Sequence, residues 1–249
     1  MSTSKISSCI EGLDVLLGGG LPQNRTILVA GGPGSGKSIL ATQFLTGPDS
    51  NGVYVSLDYS KKSFFSDMLN FGWDFEKREK EGTFVFLSGS TIRRIPQIKN
   101  SEDTMTSMDE LTIEDLMDMI KIFAEKIDAK KVVIDDVTSL TFSFTDEVRR
   151  RGAILFLMES LNDMGVSSLI ISEANVYGTN REINIEEFLS DGVIRMFTLR
   201  DGTRAIQVSK MRGMPVDTKP HPYSIVDKTG IVVFPDESVF TDTASSVFP

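Results

Sequence analysis

Eight consecutive residues, Gly31-Gly32-Pro33-Gly34-Ser35-Gly36-Lys37-Ser38, fit the spacing G-x₄-G-K-[ST]. Glycines there let backbone N–H groups close around phosphate oxygens without Cβ clashes. A helix that begins where the loop ends directs its positive end at the same anion. Gly32, Pro33, Gly34, Ser35, Gly36, Lys37, Ser38 and Ile39 would then form the cradle of a nucleoside triphosphate. Lys37 would reach the β- and γ-phosphates, and the Ser38 hydroxyl would ligate Mg²⁺. The competing reading, a glycine-rich turn that binds nothing, is weak because a strand and a helix flank the loop.

A second group suited to the metal side closes the apolar run Lys131-Val-Val-Ile-Asp135, with Asp136 as a lesser candidate. Asp135 would hold Mg²⁺ through water. An aspartate at the end of a buried strand is common, so this motif draws its weight from the P-loop.

These groups need a scaffold, and the periodicity supplies one. Short apolar runs alternate with helical patterns, as in a mostly parallel sheet with helices on both faces. The expected strands are Thr26–Ala30, Val53–Leu57, Thr83–Leu87, Lys131–Asp135 and Ser168–Ser172. A helix-like segment, Ile39–Leu45, follows the loop. Ile113, Leu116, Met117, Ile120, Ala124 and Ile127 form a stripe at helical spacing, and a second helix is expected from about Asp146 to Asp163. Val193–Leu199 and Ala205–Met211 alternate around Asp201-Gly202 as a β-hairpin, and an extended segment Ile231–Phe234 follows. Ser88–Thr112 is polar and predicts a long surface loop. One domain over residues 1–235 and a flexible tail over 236–249 are expected.

Composition narrows the function. Twenty-six Lys and Arg face 35 Asp and Glu, a net charge of −9, which argues against sequence-independent coating of nucleic acid. One histidine and one cysteine make a structural zinc site untenable, and Cys9 reads as an ordinary small buried residue. The N-terminus lacks the apolar core of a signal peptide, and no run is long enough to span a bilayer, so a cytoplasmic protein without membrane insertion is expected.

Glu11-Gly-Leu-Asp-Val-Leu-Leu-Gly-Gly-Gly-Leu-Pro22 ahead of the P-loop resembles the opening of KaiC-family ATPases, within the RecA-like superfamily. Leu189-Ser-Asp-Gly-Val-Ile194, Lys210-Met-Arg-Gly213, Pro222-Tyr-Ser-Ile225 and Gly230-Ile-Val-Val-Phe-Pro235 follow in the family's order. One such module is present, as in archaeal-type single-domain relatives. The resemblance implies a RecA-like fold, ATP as the nucleotide, and a ring-shaped homo-oligomer, usually a hexamer, with ATP between subunits. It also implies that Lys210 and Arg212 reach into the neighbour's nucleotide; from alternation alone they would be a solvated basic strand end. Cations supplied in trans would stabilise charge on the transferring phosphoryl group.

One departure bears on catalysis. Family members usually carry two adjacent glutamates after the second core strand, whereas here Asp58 takes the first position and Tyr59 the second. Asp58 is the candidate general base, one methylene shorter, or else the cap of the following helix. The expected function is a slow regulatory ATPase with an unidentified protein partner. A non-hydrolysing ATP-binding scaffold is the alternative, and a RecA-like DNA-binding protein is disfavoured because Thr138–Glu147 and Ala174–Glu187 hold only Arg181 as a cation. Ser172 and Glu173 are candidates for coupling nucleotide state to the loop that follows, or a plain polar strand end. Arg149-Arg150-Arg151 reads as a solvated helix face or a source of inter-subunit pairs. Glu187 and Phe188 fall where clock-type relatives carry their phosphorylated Ser-Thr pair, which leaves Ser190 as the nearby hydroxyl.

Overall fold

The computed structural model describes residues 4–47, 50–89, 112–141, 144, 146–173 and 185–239. Its strands in chain order are β1 (Lys5–Ile6), β2 (Leu21–Pro22), β3 (Thr26–Gly31), β4 (Gly52–Ser56), β5 (Phe84–Ser88), β6 (Lys131–Asp135), β7 (Ser167–Glu173), β8 (Gly192–Thr198), β9 (Arg204–Met211), β10 (His221–Val226) and β11 (Gly230–Val233). The helices are α1 (Leu13–Leu16), α2 (Lys37–Phe44), α3 (Lys61–Leu69), α4 (Phe75–Lys80), α5 (Ile113–Lys126), α6 (Val137–Thr141), α7 (Glu147–Asp163) and α8 (Ile185–Leu189). All five apolar runs form core strands, within a residue of the expected bounds, and Asp146 caps the helix expected to begin there.

Nine strands make one sheet in the order β11-β10-β9-β8-β3-β7-β6-β4-β5. The six from β8 to β5 run parallel, and β9, β10 and β11 extend the sheet antiparallel. Helices α2, α3 and α4 bury Leu40, Phe44, Phe64 and Phe75 on one face. Helices α5 and α7 bury Leu116, Ile120, Leu157 and Leu161 on the other. The expected architecture is therefore the observed one.

Local differences have local causes. Helix α2 starts two residues earlier than the apolar pattern suggests, because Gly36 at φ 88° turns the loop directly into a helix whose first residues are polar. Strand β10 alternates over only its first four residues and contains Pro222, so its pairing with β9 and β11 defines it. Ser88 ends β5 and Thr112 caps α5, whereas most of the loop expected between them lies outside the described residues. Of the expected tail, residues 236–239 are described: the Glu237 carbonyl lies 2.7 Å from His221 Nδ1 and Val239 N–H donates to the Pro220 carbonyl. Cys9 is half-buried rather than buried, lying between buried Ser8 and Ile10 in the lead-in to α1.

Gly12, in the segment ahead of the P-loop, has φ 81°. A Cβ there would stand 2.0 Å from the Val233 carbonyl oxygen. Glu11 bridges Val232 and accepts from Val233 N–H at 2.9 Å, so the N-terminal segment packs backbone to backbone against β11. Gly12→Ala is expected to cost about 3 kcal/mol, adding left-handed strain to a clash with rigid backbone. Urea unfolding checks this, and a loss below about 0.5 kcal/mol would contradict the close approach.

The register sets where chemistry can occur. Gly31 pairs with Glu173, and Ser56 pairs with Asp135. The carboxyl ends of β3, β7, β6 and β4 thus share one sheet edge, the usual place for ligands in open α/β sheets.

Candidate functional site

The P-loop leaves β3 at Gly31, where a Cβ would fall 2.4 Å from the Met196 carbonyl oxygen and 2.9 Å from Ser35 Oγ. Added Cβ atoms at Gly32 and Gly34 would meet nothing within 4 Å, so these two line the open side of the cradle. The loop is braced internally: Ser35 Oγ donates to the Gly32 carbonyl at 2.8 Å, and Lys37 Nζ donates to it at 3.0 Å. It is also clamped from β10, whose Tyr223 hydroxyl donates to the Ser35 carbonyl. Burial pushes that phenol up to about 12, so it remains a donor. Pro33 is exposed, and Ile39 lies in the first turn of α2 with its side chain against the core.

Partial burial lowers the Lys37 pKa, while Glu173, Asp135 and Asp136 act to raise it. Asp135 faces the P-loop across the sheet edge. Its Oδ2 accepts from the Tyr54 hydroxyl at 2.6 Å. Burial raises its pKa, and the Tyr54 and Ser38 hydroxyls oppose that rise. The hard oxygens of Ser38 and Asp135 suit Mg²⁺. Among the described residues no three His, Cys, Asp or Glu side chains cluster to hold a metal alone. The donor set therefore fits a cation held jointly with phosphate oxygens, as Mg²⁺ usually is.

Asp58 is exposed beyond β4, and its Oδ2 accepts from Ser139 Oγ at 2.8 Å. Ser139 N–H in turn donates to Asp136 Oδ1 at 2.7 Å. Asp58 does not cap α3; Ser60 does, accepting from Ser63 N–H. Tyr59 turns away, its hydroxyl bonded to Asp67 on α3. At the end of β7, Glu173 is exposed and its N–H donates to Thr138 Oγ1 at 3.1 Å, whereas Ser172 is buried.

Lys210 and Arg212 lie elsewhere. Lys210 pairs with Val193, which pairs with Leu28, three residues short of the P-loop end of β3. Lys210 Nζ donates to the carbonyls of Glu187, Phe188 and Ser190 at 2.8, 3.1 and 2.6 Å. Arg212 Nη2 donates to the Phe188 carbonyl at 2.9 Å, and its Nη1 stands 3.5 Å from Asp191 Oδ1. Both cations thus gather at the carbonyl end of α8, toward the amino end of β8 and away from the P-loop.

Two other expectations have answers here. Arg150 pairs within the chain, at 2.5 Å from buried Glu186, so the arginine run is only partly a solvated face. Arg149 is exposed beside Asp146. Ser190 is fully buried and hydrogen-bonded to the Glu187 carbonyl, so its hydroxyl offers no accessible modification site. Arg181 and residues 174–184 lie outside the described residues.

Sequence reasoning overlooked Tyr54, Ser139 and Tyr223. A hydroxyl inside the otherwise apolar run Val53–Val55 was the available signal for Tyr54. Ser139 and Tyr223 join the site only through tertiary packing.

The model of the family described as "ATPase: KaiC" matches residues 6–238. A UPF0273 protein of Pyrococcus furiosus is 34% identical over 94% of this chain and 95% of its own length. The circadian clock protein KaiC3 of Synechocystis is 30% identical over 97% of this chain, which spans 48% of that relative. The crystal structure of a KaiC-like protein from Pyrococcus horikoshii superposes with TM-score 0.77 at 30% identity, covering 94% of this chain and all of that one. With the sheet order, the P-loop and the matched span in agreement, the chain belongs to the KaiC-like ATPase family.

Proposed function

We propose that the chain binds Mg-ATP at the carboxyl edge of its sheet and hydrolyses it slowly between subunits of a homo-oligomer, a hexamer by family resemblance. The observation that carries this is a division of labour. Lys37, Ser38, Asp135 and Glu173 converge on the P-loop, while Lys210 and Arg212 stand toward the other end of the sheet, where exchanging the α8 carbonyls for phosphate oxygens would let them serve a neighbour's nucleotide. Net charge −9 and no helix, among the described residues, long and apolar enough to cross a membrane suit a regulatory cytoplasmic protein that engages a protein partner rather than nucleic acid.

In this reading the P-loop N–H groups and Lys37 bind and orient the triphosphate. Asp58, held by Ser139, takes a proton from the attacking water. The new bond forms at the γ-phosphorus as the bridging P–O bond breaks, and ADP leaves with phosphate. Bound Mg²⁺ supplies charge neutralisation on the phosphate oxygens. Lys210 and Arg212 of the adjacent subunit stabilise the remaining charge.

Phosphate release from Mg-ATP, with oligomer mass recorded alongside, tests the reading. Asp58→Asn is expected to lower turnover about a hundredfold with ATP still bound, the lower range for a general base. Unchanged turnover would remove Asp58 from the chemistry. A protein that stays monomeric and nucleotide-free at millimolar Mg-ATP would end the proposal as a whole. The shorter carboxylate and the diverted Tyr59 favour one second reading, an ATP-bound scaffold that does not turn over. ATP recovered intact from the protein after hours would establish it.

A further inference from the structure

Tyr54 is fully buried in the middle of β4, yet its hydroxyl emerges at the metal side of the cradle. It donates to Asp135 Oδ2 at 2.6 Å, and the side chains of Ser38 and Thr42 stand close enough to act against the rise in its pKa. Thr42 Oγ1 in turn donates to the Ser38 carbonyl at 2.7 Å, one turn up α2. The phenol is thus bonded to the strand that carries Asp135 and lies beside the helix that carries Ser38.

The ring cannot drift. It lies 4.6 Å from Phe64 and 5.7 Å from Phe86, centroid to centroid, with the Phe86 ring nearly parallel to it. Aromatic packing of this density fixes both side-chain torsions, so the hydroxyl position is set before any ligand arrives. A buried hydroxyl with no nearby function would be an unfavourable choice over phenylalanine, given the polar desolvation it incurs.

We propose that Tyr54 is a positioning residue for the cation that accompanies the triphosphate. Its hydroxyl fixes the orientation of the Asp135 carboxylate toward Ser38. This rests on the assignment of Ser38 and Asp135 to Mg²⁺ made above. Partners that orient metal ligands in this way typically affect metal affinity about 10- to 100-fold.

The test is Tyr54→Phe, which deletes one oxygen and keeps the ring, measured by binding of a fluorescent ATP analogue in EDTA and across a Mg²⁺ titration. The expected result is a Mg²⁺ midpoint raised about tenfold, with affinity in EDTA within about twofold of the parent. Thermal unfolding should change little, because the aromatic packing remains. In an Asp135→Asn background the same substitution is expected to have no further effect, since its action passes through that carboxylate. An unchanged Mg²⁺ midpoint would overturn the proposal. So would equal losses of affinity with and without Mg²⁺, which would mark Tyr54 as a structural residue only. A parent protein that binds no nucleotide, or binds it equally well in EDTA, would instead defeat the underlying Mg-ATP assignment.

Discussion

Lys37→Ala is expected to lower ATP turnover about a thousandfold, close to 4 kcal/mol of transition-state stabilisation. The ammonium rests 3.0 Å from the Gly32 carbonyl inside the loop, so it needs only to swing toward the phosphates. Nucleotide affinity should fall less, about tenfold to a hundredfold, the range for losing one charge-assisted contact. Stability offers an internal control with the opposite sign. Burial depresses the folded-state pKa of Lys37, so the protonated form is disfavoured by folding. That penalty is present below the folded value and is relieved as pH rises through it. Removing the side chain should therefore leave thermal stability at neutral pH unchanged or slightly higher. Parent-like turnover in Lys37→Ala, with the fold intact, would refute the P-loop as the catalytic site. A fall in melting temperature parallel to the loss of turnover would point to a folding defect instead.

Arg212→Ala is expected to be as damaging to turnover, again about a thousandfold, while leaving ATP bound. The two losses differ in where they act. In the proposed reading Lys37 serves the nucleotide of its own subunit, whereas Arg212 sits at the α8 end of the sheet, over half exposed and held loosely by Asp191 at 3.5 Å. In the free subunit it does little beyond satisfying carbonyls at the end of α8, so its removal should cost no more than about 1 kcal/mol of stability. Mixing Lys37→Ala with Arg212→Ala subunits and allowing exchange should then restore part of the activity. At mixed interfaces an intact P-loop from one variant meets an intact arginine from the other. No recovery in mixtures shown to exchange subunits would sink the trans assignment, as would full turnover by Arg212→Ala alone.

The sequence by itself determined the parallel core, the phosphate-loop motif and the family. Buried parallel strands must be apolar on both faces, which makes Thr26–Gly31 and Lys131–Asp135 legible as runs. A phosphate loop must place glycines at fixed positions, two of them here at φ 75° and 88°. Alternation around Asp201-Gly202 made the start of the antiparallel extension legible as well, since a hairpin needs a tight turn between two period-two runs. Tertiary structure alone decided the rest. It assigned the α3 cap to Ser60 and freed Asp58, a choice between two nearby polar residues that propensity cannot make. It brought Tyr223 onto Ser35 across 188 positions and Ser139 onto Asp58 across 81. It also put Lys210 beside Val193, away from Lys37. Such contacts depend on register and crossover, quantities that arise when strands pair and that no local pattern of residues encodes.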